Sequence, residues 1–425
     1  MKRTLAIDAV RSAVERMPDD GLTTARKAAF AHLHQHGLPT TTHEDWKYTD
    51  LARVIDVSNE WLAAGAGISP VSDKAVSAIT GQFDADWLVI RNGVVDSSTV
   101  AELDQVGLNV ELFSASGSMP EIDAPLSGLN VALLQDGLSI RVAADTNIER
   151  TIGLLVIDSA DSAVGVSQAR IQIEIEVGSC ANFIEYHASV GAAAHYANSV
   201  VDVTLAENAQ SRYVRIQDRA STHNQTGRLS ATLSQNSQLQ HAAFDLGGDL
   251  VRNDLAIDLA GTESSASFYG LYLAGGAQHI DNHTRVDHRV GPARSQQEYR
   301  GILTDASRCV WNGKAVVHAG ADGTDANQAN HNLLLSESAE IDAKPELEIY
   351  TDDVKASHGT TIGQLDKNAL FYLRTRGLDE ASARRLLTRA FAQKIVAISP
   401  ILSIQETISE MVANRVAELI AGEPK

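Results

Sequence analysis

The sequence predicts a mainly β protein, a stacked β-helix core held between two helical ends. Three observations carry this reading. The segment RIQIEIEV (170–177) alternates polar and apolar residues, as do SVVDVTL and NDLAIDL, which is the pattern of strands with one buried face. Small polar breaks, each followed by a strand, recur at Gly178, Asn208, Asn236, Glu263 and Arg294, at intervals of 30, 28, 27 and 31 residues. Strong helical windows are scarce in the middle of the chain and return at its ends. A repeat of this size without intervening helices marks stacked units, none able to bury its own apolar face alone. A β-sandwich also yields many short strands, but it has no reason to keep so constant a period.

The expected division is a helical region over 1–85, a β-helix core over 86–350 and a second helical region over 351–425. In the first, Leu5, Val10 and Val14 fall on one helical stripe, and Gly37 with Pro39 closes a helix that begins near Thr24. EDWKYTDL (44–51) follows, with Trp46 and Tyr48 as packing aromatics or binding residues. A solenoid exposes strand edges at both ends, and the flanking helices are expected to cap them. In the last region NALFYLRTRG (368–377) ends in a glycine suited to a C-cap. Asp379 is placed to cap EASARRLLTRAFAQKIV, with Leu387, Phe391 and Ile395 on one stripe. Pro400 is placed to open the final helix. Arg384, Arg385, Arg389 and Lys394 form a local basic patch, either a solvated face or a docking surface.

The totals narrow the function. The chain has 425 residues, 44% of them hydrophobic, enough to bury a real core. Its net charge of -19 argues against nucleic acid, which needs clustered Lys and Arg, and against an anionic membrane surface. Cys180 and Cys309, the two cysteines, make neither a disulfide framework nor a CxxC metal site. The N-terminus lacks the apolar run of a signal peptide, and no stretch of apolar residues is long enough to span a membrane. A cytoplasmic protein is expected. No P-loop, G-x-G-x-x-G, H-E-x-x-H or G-x-S-x-G motif occurs, which makes a self-contained ATPase, dehydrogenase, zincin or α/β-hydrolase a poor fit.

Candidate chemistry lies in the histidines. His279, Asp281 and His283 alternate along one predicted strand and so share a face. Imidazole and carboxylate together can coordinate iron, zinc or manganese, and an exposed β-helix face also carries such residues with no ligand. His318 and His331 flank a Gly- and Asp-rich stretch that either turns the chain or binds a cation. Near the end of the core, ELEIYTDDVKASHG (346–359) runs from a strand into Asp352 and Asp353, then Lys355, then His358 beside Gly359. A histidine there changes charge near neutral pH and ligates metal when neutral, or is an ordinary surface residue.

The run KPELEIYTDDVKASHGTTIGQLDKNALFYLRTRG (344–377) resembles the signature of the SufB/SufD family of iron–sulfur cluster assembly scaffolds. SRCVWNGKAVVHAGADGTDANQANHNLLLSESAEID before it, and EDWKYTDL near the N-terminus, are similar to the same family. The resemblance is dense over about 299–377 and collinear elsewhere. It implies a right-handed parallel β-helix between helical ends. It also implies an assembly in which SufB and SufD pair as the scaffold and SufC, an ABC-type ATPase, docks on the C-terminal helices. The chain's length and the Gly359 that follows His358 are similar to the SufD side, which maps that side's interface histidine to His358. His358 is then the candidate ligand for iron or a nascent cluster shared with SufB, with no tightly bound cofactor in the isolated chain, which is either a homodimer or a single chain on its own. Ala356 departs from the pattern, since SufD sequences often carry Cys there. The scarcity of cysteine argues against a cluster held by this chain alone. Two rival readings stand beside this one: a β-helical carbohydrate-active enzyme using Asp352 and Asp353, and a self-sufficient SufB-like scaffold.

Overall fold

A computed structural model of the chain describes residues 3–67, 69–103, 105–116, 120–161 and 163–421. The N-terminal part forms α1 (Ile7–Glu15), α2 (Thr23–His36), α3 (Ala52–Ala63) and α4 (Asp73–Thr80). Then come β1 (Asp86–Arg91), β2 (Val94–Val95), α5 (Ser97–Glu102), β3 (Leu108–Leu112), α6 (Phe113–Ser116), α7 (Ser127–Ala132) and β4 (Leu138–Val142). From there strands follow one another in regular coils. They are β5 (Ile152–Ser159), β6 (Gly165–Ile175), β7 (Cys180–Val190), β8 (His195–Leu205), β9 (Gln210–Asp218), β10 (His223–Leu233), β11 (Gln238–Asp245) and β12 (Leu250–Leu259). The series continues with β13 (Ser265–Ala274), β14 (His279–His288), β15 (Arg294–Leu303), β16 (Arg308–Val317), β17 (Thr324–Leu334), β18 (Glu340–Ile349) and β19 (Val354–Gly363). Helices α8 (Lys367–Thr375), α9 (Glu380–Val396) and α10 (Gln405–Ala421) end the chain.

Each coil contributes one strand to each of two parallel sheets, so a strand pairs with the next but one in sequence. One sheet has ten strands, ordered β19-β17-β15-β13-β11-β9-β7-β5-β1-β2, and the other nine, ordered β18-β16-β14-β12-β10-β8-β6-β4-β3. The architecture is the expected parallel β-solenoid. Its period arises at the corners: Gly178, Asn208, Asn236 and Glu263 sit at φ of 68°, 61°, 55° and 57°. One left-handed residue per coil lets the chain turn from one sheet to the other, and Gly and Asn tolerate that conformation best. The alternation read in RIQIEIEV places Ile171, Ile173 and Ile175 in the core, with Gln172 and Glu174 outward.

The two ends differ. At the N-terminal end β2 lies antiparallel on β1 and β3 antiparallel on β4, which terminates both sheets. At the other end, among the described residues, β18 pairs only with β16 and β19 only with β17. The expectation that the helices cap both ends is corrected here. Ala392, Ile395, Val396, Ile408 and Val412 of α9 and α10 pack on Val214, Ile216, Ala242, Phe244 and Leu271, the outward apolar face of the ten-stranded sheet. That face is apolar along several coils and covers an amphipathic helix better than a strand edge would. The N-terminal helices likewise lie sideways, on Val166, Tyr196 and Leu250 of the nine-stranded sheet.

Several boundaries shift as well. The strands run on past residue 350, so Val354–Gly363 is a strand inside the region expected to be helical. The helix expected to open at Pro400 begins at Gln405, after a 3-10 turn over Leu402–Ile404. On α9 the buried seam is Ala383, Thr388, Ala392, Ile395 and Val396, while Leu387 and Phe391 are half-buried, because small residues allow the helix to approach the sheet. Asp366 and Asp379 cap α8 and α9 through the Asn368 and Ser382 amides, both at 2.8 Å. No helix among the described residues is long and apolar enough to cross a membrane.

Candidate functional site at the open end of the solenoid

Pairing register shows where His358 points. Row by row across the ten-stranded sheet, Phe183, Tyr213, His241, Phe268, Gln297, Gln328 and His358 occupy one position. The members below His358 are buried inside the solenoid. Side chains alternate along a strand, so Ala356, His358, Thr360 and Ile362 all continue inward rows. Among the described residues no further coil covers them, and His358 is exposed. An imidazole thus stands at the mouth of the solenoid, facing its axis. Ala356 shares that face two residues along the strand.

Directly below, Gln328 spans the interior. With its amide oriented to satisfy both ends, it donates to Gly313 O at 3.1 Å and accepts from Ala315 N at 2.9 Å. Beside it Thr360 Oγ1 donates to Asn330 Oδ1 at 3.4 Å, Asn330 Nδ2 donates to the Tyr272 hydroxyl at 3.1 Å, and that hydroxyl donates to Asn332 Oδ1 at 2.5 Å. The floor of the mouth is therefore polar and tied together. Across from it β18 presents Ile341, Ala343 and Leu347, apolar and half-buried.

The other candidates resolve into structural roles. His279, Asp281 and His283 do share a face, but Asp281 accepts from Thr49 and, at 2.7 Å, from Arg252, with His283 Nε2 at 3.1 Å. His279 Nε2 lies 2.8 Å from Thr49 Oγ1, and the Arg252 guanidinium stacks 4.3 Å from the Trp46 ring. EDWKYTDL is thus clasped to the solenoid by these residues, and Trp46 packs as expected. Burial alone would raise the Asp281 carboxyl, yet the Arg252 guanidinium and His283 hold it below the usual carboxylate range. His318 Nε2 is 2.8 Å from Asp287, and His331 Nδ1 is 2.8 Å from Thr361 Oγ1. Among the described residues no group of three or more His, Cys, Asp or Glu is arranged to hold a metal ion. Cys309 is buried, and burial pushes its thiol up, which disfavours the thiolate. Asp352 and Asp353 sit side by side on an exposed turn before β19.

Sequence reasoning missed the polar interior. Glu185 accepts from the Tyr213 hydroxyl and contacts His187 Nε2, both at 2.8 Å. Arg215 binds Asp245 at 2.8 Å, and Arg219 binds Asp158 at 2.5 Å and Gln225 at 2.7 Å, all buried. Aligning the coils would have found these groups, since Glu185 and Arg215 fall in one inward register. Burial pushes His195 and His288 down to about 4 and His223 and His241 down to about 3. An unfolded imidazole titrates near 6.5, so these sites bind fewer protons folded than unfolded below that pH. Stability should then be level above about pH 6.5 and fall as pH drops toward 4, by up to about 1.4 kcal/mol per unit for each imidazole. A urea midpoint that stays constant from pH 7 to pH 4 would show that these rings are solvated.

Comparison with known proteins bears on the whole chain. Residues 156–391 match the model described as SUF system FeS cluster assembly, SufBD core domain, and residues 7–102 match the SufBD protein N-terminal region. The iron-sulfur cluster assembly protein SufD of Escherichia coli is 29% identical over 374 residues, covering 86% of this chain and 87% of that one. An iron-sulfur cluster assembly SufBD family protein of Mycobacterium leprae is 31% identical over 405 residues, covering 93% of this chain and 95% of its own. One from Synechocystis is 27% identical over 415 residues, covering 93% and 92%.

Proposed function

The chain belongs to the SufBD family of iron–sulfur cluster assembly proteins, and from that premise we propose that it is the SufD-type scaffold subunit, pairing with SufB through the open end of its solenoid. The observation that carries this is the mouth itself: two unpaired edge strands framing an inward-facing imidazole. An exposed pair of edges is a template for another chain, and proteins leave such edges open where a partner covers them. Iron and sulfide, as cargo, meet at that junction, and His358 contributes one neutral nitrogen ligand while SufB supplies the rest. The chain acts as a scaffold and not as an enzyme, and the ATP-driven work falls to SufC in the cytoplasm. Coexpression with SufB and SufC tests this: a stable ternary complex that accumulates clusters is expected. Failure of SufB to bind the intact chain would refute the reading.

SufC docks on the C-terminal helices in this proposal. Helix α8 has no buried residue, and its Phe371 and Tyr372 are 70% and 57% exposed. Exposed aromatics of this kind are the usual anchors of an interface. Removing α9 and α10 would bare the sheet they cover, so point variants make the cleaner test. Phe371→Ala with Tyr372→Ala should weaken SufC binding by about tenfold or more, at an unchanged melting temperature. Undiminished binding by calorimetry would move the docking site elsewhere.

A further inference from the structure

Helix α2 ends in the run FAHLHQHG (30–37), which carries three histidines. Ala25, Ala29 and Leu33 belong to the buried side of this helix, and Ala25 and Ala29 meet Val131 and Ala132 of α7. His32 and His36 are four residues apart, so they stand one above the other on a single face. Their ring centres lie 4.5 Å apart, with the planes at 38° to each other. His34 falls on a different face and stacks on Phe30 at 6.1 Å.

Three features suit the pair to a metal cation. His32 is half-buried beside Gly128, where a Cβ would come 3.2 Å from His32 Nδ1, so the glycine makes room for the ring and leaves Nε2 as the free nitrogen. Among the described residues neither ring has a hydrogen-bond or ion-pair partner, so each keeps a lone pair for a ligand when neutral. The pair also occupies the last turn of α2, before Gly37 at φ 67°. Unpaired carbonyls and the negative end of the helix dipole favour positive charge there.

We propose that His32 and His36 chelate a divalent transition metal of the copper or nickel kind, with water filling the remaining positions. A metal about 2.1 Å from a ring nitrogen lies about 3.2 Å from the ring centre. Two such ligands at a right angle put their ring centres about 4.5 Å apart, whereas the tetrahedral angle puts them about 5.2 Å apart. The observed separation is that of the right-angled pair, which is the geometry of tetragonal Cu2+ and Ni2+ and not of tetrahedral zinc. Two imidazoles are fewer protein ligands than structural metal sites use, so the ion is exchangeable. Ferrous iron stands lower in the affinity order, which separates this pair from the cargo site proposed at His358.

Calorimetric titration of the untagged full chain with Ni2+ tests the site. His36→Ala, at an exposed position, should weaken nickel binding by about tenfold or more, since even a group that only supports a metal ligand is worth that much. His32→Gln should do the same, and His34→Ala should leave binding unchanged. With one equivalent of Cu2+, the electron paramagnetic resonance spectrum of the parent should carry nitrogen splitting from two imidazoles, and that of His36→Ala from one. Ferrous iron, added without oxygen, should bind more weakly than nickel. Nickel binding by His36→Ala and His32→Gln equal to the parent's would overturn the proposal and leave the pair as polar residues at a helix end. A parent copper spectrum with one imidazole or none would overturn it as well.

Discussion

His358→Ala is expected to leave folding, SufB pairing and SufC pairing intact while cluster formation on the assembled complex falls by about tenfold or more. The side chain is exposed on the terminal strand, and exposed substitutions usually change stability by no more than about 0.5 kcal/mol. Loss of one metal ligand or of a group that supports it commonly costs about 10- to 100-fold in affinity or activity. The two effects are therefore separable in one variant. His279→Ala and His283→Ala provide the contrast: their rings serve the clasp around Asp281, so they should affect stability more than cluster yield. Cluster assembly at the normal rate by the His358→Ala complex would reduce this residue to part of a passive rim.

The largest effect on stability is expected from Asp158→Ala. Asp158 and Arg219 are both fully buried, and the guanidinium also donates to Gln225 and to the Ala188 carbonyl. Removing the carboxylate strands a cation in the interior, which costs about 3–5 kcal/mol. That is a large fraction of the about 5–15 kcal/mol by which a typical domain is stable. Urea unfolding should show the midpoint falling sharply, with the slope unchanged if unfolding remains two-state. Replacing both partners with apolar residues should recover much of the loss, because a buried pair traded for packing is often nearly neutral. A single variant as stable as the parent would mean that Arg219 finds water or another acceptor.

The coil period was legible because the corners are chemically marked. A left-handed residue is needed where the chain turns between sheets, and Gly178, Asn208 and Asn236 announce it in the sequence. The alternation of RIQIEIEV was legible for a similar reason, since one face of that strand meets a wholly apolar core. Other strands hid their direction. Glu185, His187 and Arg215 face inward, where alternation alone predicts apolar residues; Glu185 meets His187 on its own strand and Tyr213 on the next coil, and Arg215 meets Asp245 one coil further. His279, Asp281 and His283 show the converse: their common face was visible, but their partners Thr49 and Arg252 come from a distant segment and a neighbouring coil.

Repeat length, strand alternation, helix caps and the run around His358 were thus determined by the sequence itself, because each depends on residues close in the chain. Where the helices rest was decided only in three dimensions. Helices α9 and α10 cover an outward sheet face whose apolar residues come from several coils, and no local pattern records that such a face exists. The stacking of the coils likewise leaves one edge each of β18 and β19 unpaired and sets His358 at an open mouth facing the axis. That outcome depends on the register of every coil beneath it, since a shift by one residue would turn the imidazole to the opposite face.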